Sequence, residues 1–195
     1  ELERQGYEVT YLKPDRSGHV SPDALRAALR PDTVLVSMML VNNELGTLLP
    51  VAEAAQAIRD AGSPALLHCD AVQAFLKVPF TPAELGVDLL TVSGHKIHAP
   101  KGIGALYIRR GLNLKPLLTG GGQEGGLRPG TEPTAQAAAL AAACAAWEGD
   151  YPARIQELKE YALGSLSAVP GLEIVSRGDA PHICAVALPG YPSEM

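Results

Sequence analysis

Apolar residues cluster along the chain in short runs, and the spacing of those runs carries most of the structural information. Residues 33–40 form a nearly unbroken run of strand formers, and shorter runs recur at 65–69 and 88–92. Runs without polar alternation predict strands covered on both faces, as in a parallel sheet. Residues 7–12 alternate large apolar with polar residues and predict a further strand. Between the runs the period changes. Ser21-Pro22-Asp23 combines a capping hydroxyl, a proline suited to the first helical position and an acid at the positive end of the dipole. It opens a helix with Leu25, Ala28 and Leu29 on one face, expected to end near Arg30-Pro31. A second helix is predicted over residues 51–61, closed by Gly62, and a helical turn over 82–85.

Strands alternating with helices at this interval predict an α/β domain with crossover connections. Residues 103–109 follow the Lys101-Gly102 turn with no length for a crossover helix, so that strand is expected to run antiparallel. The sheet is therefore predicted to be mixed and mostly parallel, sandwiched by helices. Past the glycine-rich residues 120–130 come helices at 133–147 and 152–166, then strands at 172–175 and 183–188. The last two strands belong to the start of a small α+β domain, with a boundary near Val169-Pro170-Gly171. The expected division is a large domain over 1–150, a connecting helix over 151–168 and a truncated small domain over 169–195. Ser193 and Glu194 would suit the start of another helix, so the chain reads as a fragment.

Composition narrows the function classes. A formal charge of -5 without a basic patch disfavours nucleic acid. The alanine-rich stretch 134–147 is shorter than the roughly 20 apolar residues of a membrane span and predicts a buried helix. Cys69, Cys144 and Cys184 are odd in number and widely spaced in apolar surroundings, which fits reduced, buried thiols and a cytoplasmic setting.

In open α/β sheets ligands bind beyond the carboxyl ends of the strands. Here those ends are unusually polar: Asn42-Asn43-Glu44, Asp70-Ala71-Val72-Gln73 and Ser93-Gly94-His95-Lys96. Each has a bland alternative: a turn for the asparagines, a cap for Asp70, a solvated charge for Lys96. Jointly they supply what a pyridoxal phosphate site needs: a lysine for the aldehyde, an acid beside the ring nitrogen and donors for the phosphate. Desolvation and nearby positive charge can make such a lysine a better nucleophile. Lys101 is the local rival to Lys96. Thr131, just ahead of Pro133 and a helix start, offers a hydroxyl to an anion, against a flexible linker as the alternative. His68 is a candidate pocket residue or, slightly favoured, a satisfied core histidine, and His98 shapes the following turn.

The stretches Val41-Asn42-Asn43-Glu44, His68-Cys69-Asp70-Ala71-Val72-Gln73, Ser93-Gly94-His95-Lys96 and Arg128-Pro129-Gly130-Thr131 occur in this order. In that order, and at these intervals, the chain resembles the cysteine desulfurase family over about residues 2–188. The resemblance implies the aspartate aminotransferase-like fold (fold type I), with the large domain holding pyridoxal 5'-phosphate. It implies that Lys96 carries the cofactor as a Schiff base and moves protons at the substrate α-carbon. Asp70 pairs with the pyridine nitrogen, Asn43 and Gln73 face the phenolic oxygen, and Ser93 and His95 bind the phosphate. Thr131 reaches the phosphate in a neighbouring subunit, which implies a homodimer. The implied reaction converts L-cysteine to L-alanine, with sulfur passed to an enzyme cysteine persulfide and on to a sulfur-acceptor protein, as in iron-sulfur cluster assembly.

The family's glycine-serine-alanine-cysteine type of loop does not occur here, and none of the three cysteines is expected to be catalytic. The stacking residue of the upstream part and the carboxylate-binding arginine are expected outside the chain. The fragment alone is therefore expected to hold cofactor weakly and release no sulfide. Selenocysteine lyase or another class V aminotransferase-type enzyme is the alternative within enzymes. A noncatalytic phosphate-binding or dimerisation module is the alternative outside them.

Overall fold

A computed structural model describes residues 1–147 and 149–191 of the 195-residue chain. The expected helix start at Ser193 and Glu194 lies outside the described residues.

Four strands, β1 (Leu35–Met39), β2 (Leu66–Asp70), β3 (Leu89–Ser93) and β4 (Gly104–Ile108), form one sheet in sequence order. β1, β2 and β3 are parallel and β4 is antiparallel to β3, as the short Lys101-Gly102 connection requires. The helix α1 (Pro22–Ala28) begins where Ser21 Oγ accepts from the Asp23 amide at 3.2 Å. The main crossover helix, α2 (Val51–Asp60), buries Val51, Ala54, Ala55, Ala57 and Ile58 against the sheet. The turn helix α3 (Pro82–Leu85) is capped by Thr81 Oγ1, which accepts from the Glu84 amide, and ends on left-handed Gly86. The core lies between these helices and the sheet, with Leu67 and Cys69 of β2 at its centre.

Two longer helices follow, α4 (Thr134–Ala145) and α5 (Tyr151–Leu166), and then a separate antiparallel pair, β5 (Glu173–Ser176) and β6 (Ala185–Ala187). No helix among the described residues is long and apolar enough to cross a membrane.

Three expectations need correction. Residues 7–12 do not form a strand; they run as an irregular segment with Tyr7 and Tyr11 exposed. Among the described residues no strand pairs with them, and alternation alone cannot supply ladder hydrogen bonds. The segment is tied down instead by Glu8, paired with Arg30, and by Leu12, which packs on the core. β1 is covered on one face only: Val36 and Met38 are buried, whereas Leu35, Ser37 and Met39 are exposed on this edge strand. The alanine-rich α4 buries no residue. Alanine favours helix all round the axis without creating a stripe, and α4 meets mainly the turn Gly94–Ile97.

Leu67 is 1% exposed, and its backbone is held on both sides by Asp88. The Leu67 amide donates to Asp88 Oδ2 at 2.8 Å, and the Asp88 amide donates back to the Leu67 carbonyl at 2.9 Å. Leu67→Ala would remove the largest side chain at the centre of the core. A loss of about 2–5 kcal/mol is expected in urea unfolding, while Leu106→Ala on the exposed face of β4 changes stability by less than about 1 kcal/mol.

Candidate functional site

Because β1, β2 and β3 are parallel, their carboxyl ends leave the sheet along one edge. Met39 is level with Asp70, and Asp70 with Thr91. The segments carrying Asn43, Asp70 to Gln73 and Ser93 to Lys96 therefore emerge side by side.

After β1 the chain makes a tight turn built on Asn42. Its Oδ1 accepts from the amides of Glu44 at 2.9 Å and Leu45 at 2.8 Å, and the Gly46 amide returns to the Asn42 carbonyl. This turn chemistry leaves Asn43 exposed at its tip. Asp70 is the last residue of β2, and its Oδ1 accepts from the Val72 amide at 2.9 Å, opening the turn that carries half-buried Gln73. After β3, Ser93 Oγ is 2.7 Å from His95 Nδ1, which joins these two predicted residues directly. Half-buried Lys96 sits in the 3-10 turn Gly94–Ile97. Gly94 permits this turn: a Cβ there would stand 2.9 Å from Ile103 Cγ2 and 3.0 Å from Ala99 Cβ. His98 closes the turn in the left-handed region at φ 67 and stacks on Trp147 with ring centroids 5.9 Å apart. Lys101 is exposed in the next turn.

Thr131 is exposed ahead of α4, and no hydrogen bond among the described residues joins it to the strand-end group. Six of the predicted residues are thus gathered at one sheet edge, and Thr131 makes no hydrogen bond to them among the described residues.

Cys69 is wholly buried, and desolvation, with a smaller effect from the Asp70 charge, pushes its thiol up to about 12. A thiol so held has almost no thiolate at neutral pH, in keeping with a structural role. Cys144 and Cys184 are half-buried rather than fully buried, and no cysteine is in a disulfide. His68 bridges strands, with Nδ1 2.8 Å from Ser37 Oγ and Nε2 3.3 Å from Thr91 Oγ1. Burial holds its pKa below the ordinary value against the opposing pull of Asp70. It is a satisfied histidine.

Sequence reasoning missed Lys77, Lys159 and His182. Lys77 is buried at 6% exposure, and desolvation, reinforced by repulsion from Lys96, brings its ammonium down to about 8. Both ring nitrogens of His182 are buried without a hydrogen-bond partner. Burial first, then the charges of Lys77, Lys159 and Lys96, pushes its imidazole down to about 4. The apolar neighbours of Lys77 in residues 71–78 were a usable signal. For His182, more than eighty residues from Lys96, the sequence held none.

The profile of the family described as Aminotransferase class-V matches residues 1–195. "Cysteine desulfurase 2" of Trichormus variabilis is 54% identical over 130 residues, covering 67% of this chain and 32% of that protein. The chain spans about a third of the length of the curated relatives it matches. Among solved structures, DndA from Streptomyces lividans is 41% identical with TM-score 0.82, over 94% of this chain and 53% of that one. SspA in complex with cysteine is 37% identical with TM-score 0.78, over 89% of this chain and 48% of that one.

His182 gives the fold a pH dependence of defined sign. Its folded pKa of about 4 lies below the ordinary 6.5, so the unfolded chain takes up a proton first as pH falls. Above about 6.5 the group leaves stability unchanged, and between about 6.5 and 4 it erodes stability progressively. Urea midpoints compared at pH 7 and pH 5 are expected to fall less in His182→Asn than in the unsubstituted protein; equal falls would show that His182 is not the group responsible.

Proposed function

Because the chain belongs to the aminotransferase class-V family, we propose that the protein containing it is a pyridoxal phosphate-dependent cysteine desulfurase, with Lys96 as its cofactor-bearing catalytic residue. The observation that carries this reading is the shared sheet edge, which puts an amine, a carboxylate, amides and a hydroxyl-imidazole pair on neighbouring segments.

The donor set fits the cofactor. Asp70 spends Oδ1 on the Val72 amide, and its second oxygen has no hydrogen-bond partner among the described residues, which suits a protonated ring nitrogen. Ser93 and His95 already share a hydrogen bond beside the amides of a helical turn, which suits a phosphate. When bound, pyridoxal phosphate supplies an aldehyde for an amine to condense with and a ring that accepts electrons from the substrate α-carbon. The Lys96 amine holds the cofactor and then moves a proton at that carbon. Asp70 keeps the pyridine nitrogen protonated, and Asn43 and Gln73 orient the ring from its phenolic-oxygen side. Exposed Thr131 reaches the phosphate of a second copy in a homodimer.

In the overall reaction the sulfur of L-cysteine passes to a protein thiol, giving a persulfide and L-alanine. The buried setting of Cys69 and the half-buried settings of Cys144 and Cys184 favour a different cysteine for that step, with a sulfur-acceptor protein beyond it. Free thiols fit a cytoplasmic setting. In this reading residues 1–150 are the cofactor-binding domain, 151–168 a connecting helix and 169–195 the beginning of the small domain. The names of the relatives favour cysteine over selenocysteine as substrate.

Loading the complete polypeptide with pyridoxal phosphate and reducing it with borohydride is expected to leave a pyridoxyl label on the peptide containing Lys96. Lys96→Ala is expected to lose the label and to cut alanine formation from cysteine by about 10⁴-fold. A label on Lys101, or none, would remove the assignment. A label without alanine formation would retain the cofactor site and favour another class V reaction.

A further inference from the structure

Lys159 lies on α5, far in sequence from every strand-end residue, yet it is 7% exposed. A buried ammonium is costly unless acceptors surround it. Here Nζ donates to the Gly178 carbonyl at 2.7 Å and the Ala180 carbonyl at 2.8 Å, which fixes the turn between them.

The other side of that turn grips the turn after β1. The amides of Asp179 and Ala180 both donate to the Gly46 carbonyl at 2.9 Å. Asp179 Oδ2 accepts from the Leu48 amide at 2.9 Å, and Ser176 Oγ donates to the Leu45 carbonyl at 2.8 Å. At Gly46 and Gly178 the two backbones approach directly. Gly178, at φ 67, could not carry a Cβ without striking the Ile183 carbonyl, and that Cβ would be 3.0 Å from the Leu45 carbonyl. Gly46, at φ 72, is closed in the same way by Ile183.

Asn43 is at the tip of the gripped turn, between the Asn42 cap and Gly46. Its exposed side chain makes no hydrogen bond among the described residues, so the turn backbone alone sets where it points from. We propose that Lys159 is a positioning residue for the cofactor site, acting on Asn43 through the 178–180 turn and the Gly46 carbonyl; this rests on the reading of the site given under Proposed function. The ammonium touches neither cofactor nor substrate. It holds two carbonyls so that the amides beside them face Gly46, and the Asn42–Leu48 segment is thereby kept at one height above the sheet edge.

The experiment uses the complete polypeptide loaded with pyridoxal phosphate, and reads the visible absorption maximum of the bound cofactor and its dissociation constant. Lys159→Met keeps the length of the side chain and removes the charge. It is expected to shift the maximum in the same direction as Asn43→Ala and to weaken cofactor binding by about tenfold, the usual scale for loss of a supporting contact. Combined with Asn43→Ala it is expected to add nothing further, because both act through one residue. Asp179→Ala, at a half-exposed side chain, removes the Leu48 contact and is expected to give a smaller shift of the same sign. If Lys159→Met does not fold, Asp179→Ala decides alone. A normal band and dissociation constant in folded variants, or effects that add fully to those of Asn43→Ala, would overturn the proposal while leaving the cofactor assignment intact. Absence of any band in the unsubstituted protein would overturn the cofactor assignment and this proposal with it.

Discussion

The parallel register of β1, β2 and β3 is the constraint on which the site depends. Each strand delivers its next residues to the same edge only because all three run the same way. The crossovers that make this possible, α2 and the 71–88 connection, also supply core residues, among them Val51, Ile58, Leu85 and Val87. Val36, Leu67 and Leu90 share one buried cluster with residues of α2 and α3, and the strands that carry them also bring Asn43, Asp70 and Ser93 to one edge. A reversed strand would keep its apolar contacts and send its polar end to the opposite edge.

The surroundings of that edge are unusually rich in desolvated positive charge. Lys77 and Lys159 are buried, and Lys96 and His182 lie within reach of their fields. Such charge lacks the stabilisation that water would give. Lys159 resolves the conflict locally with two carbonyls. For Lys77 desolvation brings the titration toward neutral pH, whereas for His182 it moves the titration below it, so the imidazole is neutral there.

The connection between β5 and β6 is also tied to the turn that leaves β1. Residues 176–180 touch the turn after β1 through paired backbone groups and close glycine contacts, which are stiff compared with side-chain packing.

The α/β class, the antiparallel sense of β4 and the helix start at Ser21 were legible from period, caps and loop length, because each depends on neighbours in sequence, and the side-by-side emergence of the polar strand ends from Asn43 to Lys96 follows from the parallel order. Covering was not. The apolar run of β1 and the alanines of α4 predicted burial, but burial needs a second surface, and among the described residues none lies over Leu35, Met39 or the outer side of α4. Residues 7–12 alternated like a strand, yet a strand requires a partner edge that local pattern does not supply. Lys159 is linked to the turn after β1 only because residues 176–180, beyond α5, return to that turn across more than a hundred residues, and His182 lies in the field of the same lysine. The sequence by itself thus determined which chemistry the strand ends carry; tertiary structure decided which distant charges surround it, since desolvation and Coulomb forces act through space and leave no periodic trace along the chain.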